Sequence, residues 1–366
     1  MTSFFTPGLI GAMTVPNRIV RSATHEGMTD GDGQVTPRYA GCMSALAEGG
    51  VGLIVTGHLY VREDGRVHRG QAGIDSDRFI PPLRHVADGV HRHGARIVAQ
   101  ISHAGAFAAP RSDGVLPVAP SAVPDPHYWQ VPAALTGEGI AALVRAFVDG
   151  ALRVKDAGFD GVQLHAAHGY LLSQFLSPSR NVREDAYGGS AANRARLLAE
   201  ICAEIRSQAG RGFAILVKMN GADLVEGGLE PVGAVETAAQ LANAGVDAIE
   251  VSGGVLMRKP APIFRTKIDT AADEGYFRSF AKAVKQRVAV PVISVGGWRS
   301  PQEIDRVLAS GDADFVAMSR PFIREPDLVR RWRGGDDRRA TCNSCNRCLR
   351  AALSEAGLCC PVQAEG

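Results

Sequence analysis

The densest concentration of reactive side chains lies between Gln163 and Arg194, in QLHAAHGYLLSQFLSPSRNVREDAYGGSAANR. His165, His168 and Tyr170 fall within six residues, directly after the apolar run GFDGVQL. Two imidazoles and a phenol at the end of a buried strand can hydrogen-bond an oxygen and deliver a proton. The same H-x-x-H spacing also serves capping, core packing or half of a zinc site, which needs a third ligand. The segment continues into N-x-R-x-D-x-Y-G-G-S, with Asn181, Arg183, Asp185, Tyr187, Gly188, Gly189 and Ser190.

Such groups need a scaffold that brings them to one place. Eight short β-branched runs recur along the chain: NRIVRSAT, GVGLIVTG, ARIVAQIS, GFDGVQLH, FAILVKMN, VDAIEVSGG, VPVISVGG and ADFVAMSR. Amphipathic helical patterns alternate with them, as in the stripe of Ile140, Leu143, Val144, Phe147, Val148 and Leu152. Eight strand–helix repeats predict an α/β fold, a closed (β/α)8 TIM barrel rather than an open doubly wound sheet. Ser300 and Glu303 predict a capping box that starts the helix after the seventh strand. Three segments exceed a minimal barrel. Residues 1–16 read as a cap across the barrel bottom, residues 104–135 as a long loop after strand three, and the region after Arg333 as a Cys-rich tail. The expected division is a barrel over 1–335 and a C-terminal extension over 336–366.

Active sites of such barrels lie at the C-terminal ends of the strands. Those ends are polar: Ser22, Ala23, Thr24 and His25 after the first; Thr56, Gly57 and His58 after the second; Gln100, Ser102 and His103 after the third. Lys218 and Asn220 end the fifth, and Ser252, Gly253 and Gly254 the sixth. After strands seven and eight, Gly296, Gly297, Ser319 and an Arg320 expected to be exposed form a pattern that holds a phosphate with backbone N–H groups and a cation. Lys218, pointing inward, requires an anionic neighbour to offset its burial. Gln100 supplies both a donor and an acceptor.

Together these motifs resemble the Old Yellow Enzyme family of FMN-dependent oxidoreductases, over almost the whole span from Phe5 to about Pro326. The resemblance implies that Ala23, Thr24, Gly57, Gln100, Lys218, Gly297 and Arg320 contact FMN, with Ser252, Gly253, Gly296 and Ser319 completing the cofactor wall. It implies that His165 and His168 hold a substrate carbonyl oxygen, that Tyr170 donates the proton, and that Lys218 lies beside the flavin pyrimidine. His25 matches a position near the flavin carbonyl that is Thr or Cys in many relatives. Ala106 stands where H-A-G-R is common after strand three. The implied activity is NAD(P)H-driven reduction of the C=C bond of α,β-unsaturated carbonyl compounds, with NADH or NADPH stacking over the flavin without a dinucleotide fingerprint. The alternative is an amine dehydrogenase or demethylase.

The tail reads C-N-S-C-N-R-C, with Cys342, Cys345 and Cys348, and then Cys360. Thiolates so spaced can bind zinc or an iron–sulfur cluster. The spacing resembles the C-x2-C-x3-C-x11-C segment of the 2,4-dienoyl-CoA reductase branch, one residue shorter in the middle. The plainer reading is a reduced tail that covers the barrel. Seven cysteines, an odd number, do not suggest a disulfide framework. A net charge of +2 argues against nucleic acid or an anionic membrane as the main partner. The sequence lacks an apolar membrane span and a signal-peptide pattern, so a cytoplasmic location is expected. The expected partner is a small-molecule substrate; a homo-oligomer is compatible with the sequence.

Overall fold

All eight runs become strands that close on one another: β1 (Ile19–Arg21), β2 (Leu53–Val55), β3 (Arg96–Ser102), β4 (Gly161–Ala166), β5 (Ala214–Asn220), β6 (Ala248–Ser252), β7 (Val292–Val295) and β8 (Phe315–Met318). Each pairs in parallel with its sequence neighbours, and β8 returns to β1 through Val316 opposite Ile19. The computed structural model describes residues 3–256 and 263–362.

Register decides which side chains meet inside. Lys218 on β5 stands between His165 on β4 and Glu250 on β6, and Gln100 on β3 is level with Gln163 on β4. Residues paired across parallel strands point to the same face, so these polar groups share one interior layer. Beneath them the interior is apolar, with Val20, Leu53, Val98, Leu216, Ile293 and Phe315 fully buried.

The predicted cap is an antiparallel hairpin, Gly8–Ile10 with Met13–Val15. Its alternation puts Ile10, Met13 and Val15 into the apolar layer and leaves Leu9 outside. Gly11 turns the hairpin at φ 56°, where a Cβ would lie 2.6 Å from the Asp247 carboxylate.

Outside the strands run α1 (Pro37–Glu48), α2 (Ile80–His91), α3 (Gly137–Asp156), α4 (Ala191–Ala209), α5 (Pro231–Asn243), α6 (Arg278–Lys285), α7 (Pro301–Ala309) and α8 (Leu328–Arg333). The α3 stripe packs inward as its periodicity requires, and Thr136 and Ser190 cap α3 and α4 with their hydroxyls. The capping box expected at α7 does not form. Ser300 does precede the helix, but its hydroxyl donates to Glu274 at 2.7 Å, while Glu303 pairs with Arg306. Buried Glu274 also takes the N–H groups of Arg299 and Ser300, and so competes successfully for the cap. Among the described residues no helix is long and apolar enough to cross a membrane.

Candidate active site

A cavity of about 480 Å³ opens above the C-terminal strand ends, within the range of cofactor sites. Of the expected site residues, Ala23, Thr24, His25, Gln100, His165, His168, Tyr170, Lys218, Ser252, Gly296, Gly297, Ser319 and Arg320 all line it. Gly57 and Gly253 do not. Gly57 donates its N–H to Glu26 at 2.9 Å, and a Cβ there would meet the same carboxylate at 2.1 Å. A Cβ on Gly253 would lie 2.9 Å from the Phe277 ring. Both glycines permit close approach behind the wall.

The β4 end carries the aromatic constellation. His165 lies with its ring 5.3 Å from His168 and 4.9 Å, edge-on, from Tyr170. Its Nδ1 is buried without a hydrogen-bond partner. A buried polar atom left unpaired is costly and points to a ligand that satisfies it. His168 takes a left-handed conformation, φ 64°, which a side chain seldom adopts without support. That support comes from both neighbours: its N–H donates to Asn220 Oδ1 at 3.2 Å, its carbonyl accepts from Leu256 N–H at 3.0 Å, and its Nε2 meets Ser252 Oγ at 2.8 Å. Tyr170 packs against Ala104 and Ala108 of the long loop, with Phe107 beside it.

Burial sets the protonation states. It depresses His165 well below the ordinary imidazole range, helped by His168, His58 and Lys218, and depresses His168 likewise, helped by Lys218 and His58. Burial also raises the Tyr170 phenol. Near neutral pH the site therefore holds two uncharged imidazoles and a phenol that keeps its proton.

Lys218 finds its anion inside the protein. Its Nζ donates to Glu250 at 2.9 Å and to Ser22 Oγ at 2.8 Å, and Ser22 donates to the same carboxylate at 2.6 Å. The other Glu250 oxygen accepts from Gln163, whose carbonyl accepts from Gln100 at 2.7 Å. The network thus spans β1, β3, β4, β5 and β6. Glu250 is thus the anionic neighbour that the burial of Lys218 requires.

The opposite end is cationic. Gly296 and Gly297 have φ values of 136° and 85° and lie against Tyr276, so a side chain would fill the floor they leave. Arg320 is 7% exposed, not the exposed residue expected, because the tail covers it: its Nη1 donates to Asn346 Oδ1 at 2.6 Å and to the Arg265 carbonyl at 2.7 Å. A second guanidinium, Arg299, is buried beside it and donates to Ser344 Oγ at 2.8 Å. Thr24 and Ser319 join hydroxyls at 2.7 Å. The segment Asn181–Ser190 stays outside the cavity as scaffolding: Asn181 bonds the carbonyls of Phe175 and Tyr187, and Ser190 caps α4.

The tail lies over the barrel. Leu349, Ala352, Leu353 and Leu358 line the cavity, and Leu358 N–H donates to the Glu26 carbonyl. Its thiols gather loosely. Cys348 is pushed up to about 11, first by burial and then by Cys342, with Cys345 and Cys360 adding to it. Yet among the described residues no three His, Cys, Asp or Glu side chains are close enough to hold a metal ion. Arg299 takes Cys342 Sγ at 3.9 Å, Arg324 takes Cys360 Sγ at 3.7 Å, and Cys345 is exposed. The expected set Cys342, Cys345, Cys348 and Cys360 is thus not assembled as a metal-ion site.

Three further groups line the cavity: His58, His68 and Arg299. His58 was visible as a polar end of β2, whereas His68 and Arg299 lie beyond strand ends, where no periodic signal marks them.

The residues present fit FMN: a glycine floor with arginines for a phosphate, a polar layer with Gln100 and Lys218 for a ring edge, and unpaired ring nitrogens of His25 and His165. Comparison with known proteins agrees. The model of the NADH:flavin oxidoreductase / NADH oxidase family matches residues 3–337. A metal reductase of Desulforamulus reducens is 36% identical over 367 residues, covering 100% of this chain and 54% of that protein. An NADH oxidase of Thermoanaerobacter brockii is 36% identical over 352 residues, 94% of this chain and 54% of its own. A solved complex of 2-naphthoyl-CoA reductase with 2-naphthoyl-CoA superposes with a TM-score of 0.91 at 28% identity, over 99% of this chain and 56% of that one. The chain spans about half the length of these proteins.

Proposed function

The chain belongs to the NADH:flavin oxidoreductase / NADH oxidase family and is an FMN-dependent oxidoreductase, and we propose that it uses NAD(P)H to reduce the C=C bond of α,β-unsaturated carbonyl compounds. One observation carries this reading: His165, with an unpaired buried Nδ1, sits 4.9 Å ring to ring from a protonated Tyr170 in the cavity that holds the phosphate-type end.

FMN, when bound, would supply the two-electron redox chemistry that links oxidation of reduced nicotinamide to reduction of the alkene. Arg320, Gly296 and Gly297 would hold its phosphate, and Lys218 and Gln100 would meet its ring edge. His165 and His168, both neutral, donate hydrogen bonds to the substrate oxygen and stabilise the negative charge that grows there as the alkene is reduced. Such a donor contributes roughly 10²–10³ in rate. Tyr170 delivers its proton to the α-carbon. Ser252 and Asn220 keep His168 in its strained conformation, so the second donor is in place before substrate arrives.

An anaerobic spectral titration tests this reading: NAD(P)H is added to the flavin-loaded protein, followed by 2-cyclohexenone. The flavin band is expected to bleach and then return. A band that bleaches and stays bleached with the enone favours the dehydrogenase reading, in which electrons leave by another route.

A further inference from the structure

Five of the cavity's side chains are histidines, three more than the proposed mechanism employs with His165 and His168: His25, His58 and His68. Their rings run as a chain, His68 to His25 at 5.8 Å, His25 to His58 at 5.6 Å, and His58 to Tyr170 at 5.3 Å. The two whose hydrogen bonds are defined have one ring nitrogen occupied in the same way. Gln71, fully buried, accepts the Val67 N–H with its carbonyl oxygen at 2.8 Å, which fixes its amide nitrogen as the donor toward His58 Nδ1 at 2.9 Å. Ser102 Oγ lies 3.2 Å from that nitrogen as well. His68 Nδ1 accepts the Gly70 N–H at 3.0 Å. A neutral imidazole whose Nδ1 accepts carries its proton on Nε2. Burial, with His25, holds His58 down to about 3, so the ring stays uncharged at working pH.

We infer that His58 is a third substrate-binding donor, presenting Nε2–H to a second, uncharged acceptor, so that preferred substrates carry two carbonyl-type groups flanking the alkene. This rests on the ene-reduction reading and names its substrate class. The placement supports it. His165 and His168 converge on one oxygen, while His58 lies on the Tyr170 side, 6.0 Å ring to ring from His165. A planar molecule held at its first oxygen by the histidine pair and lying past Tyr170 brings its far carbonyl to His58. Cyclic imides and ene-diones fit.

The test compares two saturated, unreactive five-membered rings, N-methylsuccinimide with two carbonyls and cyclopentanone with one. Dissociation constants are read from the absorbance change of bound FMN in the holoenzyme. The imide is expected to bind about fivefold more tightly, as one added hydrogen bond gives. His58→Asn, whose amide nitrogen overlays Nδ1, should remove that preference. His58→Gln, whose amide nitrogen overlays Nε2, should retain it. Equal binding of the two rings by the wild type, or a preference that survives His58→Asn, overturns the inference. Because the readout is binding, it decides this point even where turnover of N-methylmaleimide and 2-cyclopentenone shows that the ene-reductase reading is wrong.

Discussion

Above β4, β5 and β6 the reactive side chains are positioned by neighbouring strand ends: Asn220 holds the His168 backbone and Ser252 its ring. Above β7 and β8 two buried arginines are held instead by the tail, Arg320 by Asn346 across 26 residues and Arg299 by Ser344 across 45. The histidine pair is held by the barrel's own strand ends, while the arginine end is completed only when the tail folds over it. Catalytic geometry and cofactor retention should therefore respond to different mutations.

The largest expected effect breaks the first half alone. Tyr170→Phe should slow enone reduction by about 10²–10⁴, the usual contribution of a positioned acid, while flavin reduction by NAD(P)H stays within a few fold. Equal loss in both half-reactions, measured by stopped flow, would remove Tyr170 from the proton-donor role. Lys218→Met probes the layer beneath. It leaves Glu250 buried without its cation and should cost about 3–5 kcal/mol in urea unfolding. Lys218→Met with Glu250→Gln should recover much of that loss; no recovery would mean that the pair does not act as a unit.

Asn346→Ala probes the second half. Removing an acceptor from a buried guanidinium should weaken FMN retention roughly 10–100-fold, read as flavin fluorescence released on dilution, with enone turnover per bound flavin little changed. An unchanged affinity would make the tail a bystander. The effect of one pH unit is of similar size to the low end of that loss. Burial, joined by His68, lowers His25 to about 4, and burial, joined by His25, lowers His58 to about 3. Between those values and about 6.5 the unfolded chain binds protons that the folded one refuses. Stability is therefore complete above about pH 6.5 and falls as pH drops below it, by about 1.4 kcal/mol per pH unit for each histidine. His58→Gln should flatten that slope in apo-protein melts.

The same contrast explains what could be read in the sequence. All eight strands, the bottom cap and the His165, His168, Tyr170 cluster were legible, because period-2 apolar runs and their polar ends are local patterns. Glu250 was not, since a charged residue inside an apolar run announces itself only when register sets it beside Lys218. The burial of Arg320 depends on Asn346, and the lost cap of α7 depends on Glu274, both contacts between distant segments. The cysteine spacing suggested zinc or an iron–sulfur cluster; that Arg299 and Arg324 lie against two of those thiols was not legible, because the contacts join distant segments.

The most direct measurement is a single-turnover reduction of 2-cyclohexenone in D₂O by wild type and Tyr170→Phe with unlabelled NAD(P)H. The wild-type product should carry one deuterium, on the α-carbon, delivered from the exchangeable Tyr170 phenol, and the variant should form that bond at least a hundredfold more slowly, about the lower bound for a positioned acid. Deuterium on the β-carbon, or an unchanged rate in the variant, would contradict the proposed division of labour between the flavin and this chain's own acid.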